Sequence, residues 1–318
     1  MTTQGRIISA LLVLFFSLAA SPMFADEANL AENLNAALQK AAGTMYSLAY
    51  QFADDETLKY KVEHLVTVET TIEENRQRAR SRSVSTKQWD IKDVTDNGNA
   101  RLIHQVADAN MWQQVIMYVT EDGKQVSKER EVRYDSKSEQ APPIQYEKFA
   151  ATVGKPLSEV VIDKHGQTIE REDKLKGSSW GGQLVVPMPP NPVAVGHKWH
   201  KPQEIVVRME DGRVKRINTR QQYELLKVEG GIAHIAFDTQ ILTPGIRSQP
   251  KVMVQIVQRL TGGHIEFDID AGRVVRQHLK LDETIIGFNG AKSIMNYTGR
   301  FNEELIVPDA EIAKTAAK

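Results

Sequence analysis

The sequence predicts a mainly β fold with a small helical content (α+β), on three observations. Apolar residues alternate with polar ones in many stretches, such as residues 58–62, and a period of two is typical of half-buried strands. Asn97-Gly98 and Asp122-Gly123 separate such stretches and are typical of tight turns. The regular alternation of strands and helices that marks a parallel sheet is absent from the sequence.

The start of the chain has the form of a secretory signal peptide. Arg6 precedes an apolar run over residues 7–20, and Ala25 precedes the acidic Asp26. The run is shorter than the roughly 20 residues that a membrane-spanning helix needs, and its flanks are typical of export signals. Residues 1–25 therefore predict export with cleavage after Ala25, and an uncleaved signal anchor is the alternative.

The composition excludes several classes of function. The 318-residue chain has 40 Lys and Arg against 41 Asp and Glu, and this balance argues against a nucleic-acid partner. Cysteine is absent, which excludes disulfides, thiolate metal sites and cysteine nucleophiles. No cofactor and no metal site is predicted, and no membrane span is expected once the signal peptide is removed.

The mature chain begins with a predicted amphipathic helix over residues 26–44 and continues into a first β repeat over 45–176. Residues 45–52 and 58–72 both alternate and are expected to be strands joined by a tight turn. Asn97-Gly98 is expected to form a type I′ turn, in which both residues take positive φ. A short helix is predicted near 144–153, before the break at Gly154 and Pro156.

A connector rich in proline and glycine is predicted over residues 177–197, because proline cannot donate to a strand ladder. Its apolar residues are expected to pack on a domain. A second β repeat follows over 198–307, and a polar tail over 308–318 ends the chain.

The two β regions are predicted to be copies of one half-barrel plan, each an antiparallel sheet. The first copy has the run QWDIKDVTDNGNARLI (88–103), and the second has QYELLKVEGGIAHI (222–235). Trp89 thereby matches Tyr223, and a glycine turn follows in both. The hairpin VIDKHGQTI (161–169) likewise resembles FDIDAGRVV (267–275). A period this long indicates a duplicated domain, and the alternative is that two generic hairpins look alike.

Two sets of residues are candidates for binding. Five aromatic residues are candidates for the lining of a ligand groove or, more commonly, for the core: Tyr60, Trp89, Trp112, Trp199 and Tyr223. Four arginines would form one basic row on a strand: Arg76, Arg78, Arg80 and Arg82. Such a row is suited to an anionic partner, and a solvated strand face is the alternative.

No catalytic residue is predicted. Residues 177–181 fit the pattern G-x-S-x-G, but glycine and proline follow where a nucleophile elbow needs a helix. His197 and His200 would face opposite sides of a strand. Asp268 and Asp270 are explained by a hairpin turn. The other histidines show no metal-ligand spacing, and only folding could gather them.

Three segments carry a resemblance to a known family. They are YSLAYQFADDETLKYKVEH (46–64), PMPPNPVAVGHKW (187–199) and IEFDIDAGRVV (265–275). With the signal peptide, they resemble an uncharacterised family of exported, β-rich bacterial proteins without an established activity. The resemblance implies a location in the periplasm or cell envelope.

The predicted function is that of a non-enzymatic binding or structural module of the envelope. Two curved sheets could hold a lipid-like or other apolar ligand, and the partner would be such a small molecule or an envelope protein. An exported hydrolase whose site the sequence does not reveal is the alternative.

Overall fold

The computed structural model of the chain describes residues 43–121, 124–175, 185–209 and 211–307. The predicted signal peptide, nearly all of the predicted N-terminal helix, the turn at 122–123, residues 177–184 of the connector and the polar tail lie outside the described residues. The description below concerns the compact unit that begins at Met45.

The described residues form a mainly β structure, which confirms the predicted fold class. The strands are β1 (Thr57–Ile72), β2 (Asn75–Val94), β3 (Ala100–Glu121), β4 (Lys124–Asp135), β5 (Pro156–Ile162), β6 (Thr168–Asp173), β7 (Lys198–Arg208), β8 (Val214–Glu229), β9 (Ile232–Ile241), β10 (Gly262–Asp268), β11 (Arg273–Ile286) and β12 (Ser293–Leu305). The helices are α1 (Glu147–Ala150) and α2 (Pro250–Ile256), and a single 3₁₀ turn (Val257–Arg259) follows α2.

All the strands belong to one antiparallel sheet. Its order is β6-β5-β3-β2-β1-β12-β11-β10-β9-β8-β7. Strand β4 lies outside this order and pairs with the second part of β3, from Asn110 to Glu121. The pairing of β1 with β12, over Tyr60 to Ile72, joins the two predicted repeats edge to edge. The repeats are therefore halves of one open sheet, and they do not form two separate sheets.

The two halves follow the same strand order. The order β1-β2-β3-β5-β6 in the first half corresponds to β7-β8-β9-β10-β11 in the second. The ladders shift register at matching places, between Ile91 and Asp93 in one half and between Leu225 and Lys227 in the other. These correspondences agree with a duplication, which stays a prediction.

Three details differ from the sequence predictions. Residues 45–52 are extended but make only one bridge, Tyr46 with Val193, so this segment is not a strand of the sheet. The Asn97-Gly98 turn is not type I′, because Gly98 has a positive φ of 81° and Asn97 does not. Helix α1 lies inside the predicted 144–153 segment, whereas helix α2 was not predicted.

The main core lies on the inner face of the sheet. It contains inner residues of both halves, such as Leu102 and Ile235, in one packed cluster, so the sheet must curve around them. The extended segment 46–52 and the connector residues Val186 and Met188 are part of this cluster and pack against one end of the curved sheet. Burial of these connector residues agrees with the sequence expectation, although Val195 is 39 % exposed.

A second core cluster lies within the second half. Helix α2 contributes Val252, Met253 and Ile256, which pack against Ile217 of β8 and Leu281 of β11. Since β9 and β10 separate β8 from β11 in the sheet order, the helix bridges two strands that do not pair with one another. Apolar burial of this kind stabilises the curvature of the second half.

Candidate functional site

A cavity of about 680 Å³ lies on the inner face of the sheet, and it is the candidate binding site. Strands from both halves line it, together with Tyr50 and Val186 at one end and Gln258 and Thr261, which follow helix α2, at the other. Its volume falls within the range of about 300–1,000 Å³ that is usual for small-molecule sites.

Equivalent positions of the two halves form two walls of this cavity. Lys87, Trp89 and His104 of β2 and β3 form what we call the charged wall. Gln221, Tyr223 and Phe237 of β8 and β9 form the neutral wall. Trp89 pairs in register with His104, as Tyr223 does with Phe237. The same backbone positions therefore present titratable groups on one side and uncharged groups on the other.

A buried ion pair dominates the charged wall. Lys87 Nζ lies 2.6 Å from the carboxylate of Glu303 on β12, and the two side chains are 13 % and 6 % exposed. The same ammonium lies 4.7 Å from the ring centre of Tyr60 and 4.6 Å from that of Trp89. Buried charges are costly unless they are paired, and cation–π contacts with both rings further stabilise the ammonium.

The charged wall also contains ring nitrogens without a partner. Neither Trp89 Nε1 nor His104 Nδ1 has a hydrogen-bond partner among the described residues, although both atoms are buried. Burial, with the nearby charges of Lys87 and Arg171, lowers the pKa of His104 to about 4, so the ring is neutral at pH 7. Unpaired buried donors and acceptors are uncommon, and here they lie in residues that border a cavity.

The neutral wall is an aromatic stack. The rings of Trp199 and Tyr223 lie 5.6 Å apart, and those of Tyr223 and Phe237 lie 5.1 Å apart. The Tyr223 hydroxyl donates to Gln221 Oε1 at 3.0 Å, and Trp199 Nε1 donates to the Pro187 carbonyl at 2.8 Å. These contacts hold a rigid, mostly apolar surface opposite the ion pair.

The end of the cavity beside the connector is held by Tyr50. Its hydroxyl donates to the Val186 carbonyl at 3.0 Å, and burial raises its pKa well above the usual value. The backbone of the same segment bonds to both halves, because Tyr50 N donates to the Lys164 carbonyl and Gln51 N to the Gly272 carbonyl. Gly272, at a φ of 60°, has no room for a side chain, since a Cβ would lie 2.5 Å from Gln51.

The structure brings three of the five predicted aromatic residues together at the cavity, namely Tyr60, Trp89 and Tyr223. Trp199 packs behind Tyr223 and does not line the cavity. Trp112 lies on the opposite face of the sheet, where its ring packs against the guanidinium of Arg80 at 5.7 Å. The register shift between β2 and β3 beyond Thr86 puts Trp112 on that outer face.

Sequence reasoning missed the polar members of the cavity. Lys87 and His104 lie next to the buried apolar residues Trp89 and Leu102 in the inner rows of β2 and β3, and a polar residue beside such neighbours was the available signal. Glu303 is bonded to a residue 216 positions away, so no local pattern could identify it. Phe237 follows Ala233 and Ile235 in an alternating apolar row and could not be distinguished from core.

The predicted arginine row lies on β2, on the face opposite the cavity. Arg76 and Arg78 contact Glu69 at 3.4 and 2.9 Å, and Arg82 contacts Glu63 at 2.7 Å. Arg80 packs against Trp112, as described above. Carboxylates of β1 thus neutralise much of the row, and an anionic partner for it stays a prediction.

Of the weak catalytic candidates that fall in the described part of the chain, none borders the cavity. Residues 177–181 lie outside the described residues, and Asp268 accepts a hydrogen bond from the backbone N–H of Ala271 within its turn at 2.8 Å. Ser85, His104 and Glu303 all border the cavity. In the described part of the chain no hydrogen bond links these three, and Glu303 is bonded to Lys87.

Comparison with known proteins adds no identification. No family model matches the chain, and no curated protein sequence matches it either. Across the described residues, the helices are too short and too polar for any of them to cross a bilayer.

Proposed function

We propose that the protein is an exported, non-enzymatic binding protein of the bacterial envelope, and that its cavity holds an apolar ligand. The observation that carries the proposal is the 680 Å³ space between the two walls. A filled core would have argued for a purely structural role. The signal-like residues 1–25 and the resemblance to exported proteins support the location.

The side chains of the cavity indicate a ligand with a neutral polar end. Lys87 and Glu303 neutralise each other, and the low pKa of His104 leaves that ring uncharged at pH 7. An anionic headgroup would have to displace Glu303 from Lys87 and leave a buried carboxylate unpaired, which is unfavourable. Hydroxyl, ester or amide groups could bond to this wall without separating the pair.

The rest of the ligand would lie along the neutral wall. Tyr223, Phe237, Ile265 and Leu279 give a continuous apolar surface on strands β8 to β11. A single acyl chain with an uncharged headgroup, such as a monoacylglycerol, matches a cavity that has polar groups on the charged wall and an apolar surface on the neutral wall. Catalysis is not favoured, since Ser85, His104 and Glu303 lack the hydrogen bonds that a nucleophile and its base would share.

Native mass spectrometry of the protein isolated from its envelope fraction tests the proposal. We expect one uncharged amphiphile per chain. Val62 lines the cavity between Ser85 and Glu303 in register, so Val62→Trp should fill the space and release the ligand.

The matched control is Leu65→Trp on the same strand. Leu65 lies on the opposite face and is 38 % exposed, so its replacement should leave the ligand in place. The proposal fails if the wild-type protein is free of ligand and takes up no added monoacylglycerol, or if both variants lose the ligand equally while remaining folded.

A further inference from the structure

Three potential metal ligands meet on the outer face of the second half. His234 on β9 and His264 and Glu266 on β10 each offer an atom within 4.8 Å of the others. Their neighbours Ile235, Ile265 and Phe267 are buried in the core, so alternation places the three ligands on the side away from the cavity.

Strand pairing fixes this cluster. His234 and Glu266 are register partners on adjacent strands, and His264 lies two residues before Glu266 on the same face. All three come from strand interiors and are half-buried. A site built on paired strands is more rigid than one built on loops.

The spacing of the two rings suits zinc. His234 Nδ1 and His264 Nε2 lie 3.1 Å apart, whereas two nitrogens bound to tetrahedral zinc at about 2.0–2.1 Å lie about 3.3–3.4 Å apart. The rings would need to separate by only a few tenths of an ångström. Two histidines and one glutamate form a donor set that zinc accepts, and a water molecule would complete the coordination.

The surroundings orient the ligands. Arg276 Nη1 bonds one oxygen of Glu266 at 3.2 Å, which fixes the carboxylate and leaves the second oxygen for a metal. The nearest lysine along the ladder, Lys227, pairs in register with His234 and is neutralised by Glu229 at 2.5 Å. Neither cation therefore stands unpaired against a bound metal ion.

We propose that His234, His264 and Glu266 form a zinc site on the outer face of β9 and β10, independent of the cavity. The two histidine nitrogens and one carboxylate oxygen are the protein ligands, and the fourth position is open to water. The site requires no rearrangement of the sheet.

Isothermal titration of untagged, chelator-treated protein with zinc tests the proposal. We expect one zinc ion per chain. His234→Gln and His264→Gln should each weaken binding by about a hundredfold, and Glu266→Gln by at least about tenfold, since even outer-shell changes cost roughly 10–100-fold. Zinc-edge X-ray absorption should give nitrogen and oxygen ligands at about 2.0–2.2 Å.

Two histidines serve as controls. His278 is the register partner of His264 on β11, but its Nδ1 contacts Asn302 Oδ1 at 2.7 Å, and His200 lies on β7, away from the cluster. His278→Gln and His200→Gln should retain the zinc affinity.

Thermal unfolding provides a second readout, because zinc at a concentration that saturates the wild-type protein should raise its Tm and raise that of folded His264→Gln much less. The proposal is overturned if the wild-type protein binds no stoichiometric zinc. It is also overturned if the control variants lose as much affinity as His234→Gln and His264→Gln.

Discussion

The two halves of the sheet have the same strand order but different inner surfaces. At equivalent places the first half has Lys87 and His104, and the second has Gln221 and Phe237. The first half also lies beside Glu303 of β12, which joins the halves. One backbone plan thus supports a charged wall and a neutral wall, and the difference lies in a few side chains at fixed inner positions.

The halves also differ in what covers their inner faces. In the second half, helix α2 is inserted between β9 and β10 and packs its apolar residues against β8 and β11. In the first half, the equivalent place between β3 and β5 holds β4 and the short helix α1. The inner face is consequently filled at one end and open between the walls, where the cavity lies.

The largest expected effect comes from making the charged wall resemble the neutral one. Lys87→Gln places at that position the residue type of its counterpart Gln221, and it leaves Glu303 buried without a partner. We expect a loss of about 3–5 kcal/mol in the free energy of unfolding at pH 7, measured by guanidinium titration.

Gln221→Ala is the matched control for this change. It removes a single neutral hydrogen bond from Tyr223 and should cost about 1 kcal/mol. The double variant Lys87→Gln/Glu303→Gln should recover most of the stability. Equal losses of the free energy of unfolding for Lys87→Gln and Gln221→Ala would contradict the proposed difference between the charged wall and the neutral wall.

Equivalent core positions should respond alike. Ile91 and Leu225 are 1 % and 0 % exposed, and each lies just before the matching register shift. Ile91→Ala and Leu225→Ala should each lower the free energy of unfolding by about 2–5 kcal/mol. Leu226→Ala, at a residue 44 % exposed, should cost far less. A tolerated change at only one of the two core sites would show that the halves are not equivalent.

The response to acid should distinguish His104 from its counterpart Phe237. The pKa of His104 is lowered to about 4 from 6.5, so the folded state disfavours the protonated ring. The neutral His104 ring therefore contributes fully to stability above pH 6.5. As the pH falls towards 4, the free energy of unfolding decreases by about 3 kcal/mol, because the unfolded state takes up the proton first.

His104→Phe removes this titration. Between pH 7 and pH 4, the free energy of unfolding of the wild-type protein should therefore decrease by about 3 kcal/mol more than that of the variant. Urea unfolding at each pH measures both values. If the difference in free energy of unfolding between the two proteins does not change with pH, His104 is not the group that causes the loss of stability in acid.

The smallest effect is expected on the outer face of the first half. Arg82 pairs with Glu63, but it is half exposed, and such pairs contribute at most about 1 kcal/mol. Arg82→Gln should therefore change the free energy of unfolding by less than that, and the change should shrink in high salt. A loss as large as that of Lys87→Gln would mean that the arginine row has a structural role.

Local patterns in the sequence predicted the strands and most hairpins, because alternation and turn residues act over a few positions. The correspondence of Trp89 with Tyr223 was also visible, since both precede a glycine turn. The segment 45–52 was wrongly predicted as a strand, because a chain that packs extended on a core alternates in the same way as a strand. Helix α2 was missed although Val252, Met253 and Ile256 have helical spacing.

A groove between curved sheets was expected from the sequence, but the polar lining of the cavity could not be predicted, since it depends on contacts between distant residues. The pairing of β1 with β12 and the bond between Lys87 and Glu303 join opposite ends of the chain. The meeting of His234 with His264 likewise depends on the register of two strands. Such contacts are set by the fold, and no local sequence pattern contains them.

Quenching of tryptophan fluorescence by a monoacylglycerol with a brominated acyl chain tests most directly whether the ligand lies between the two walls. Trp89 borders the cavity, whereas Trp112 lies on the opposite face. We predict saturable quenching that persists in Trp112→Phe and is reduced in Trp89→Phe, where Trp199, stacked behind Tyr223, accounts for the quenching that remains. Equal quenching in both variants, or none in the wild-type protein, would contradict the account.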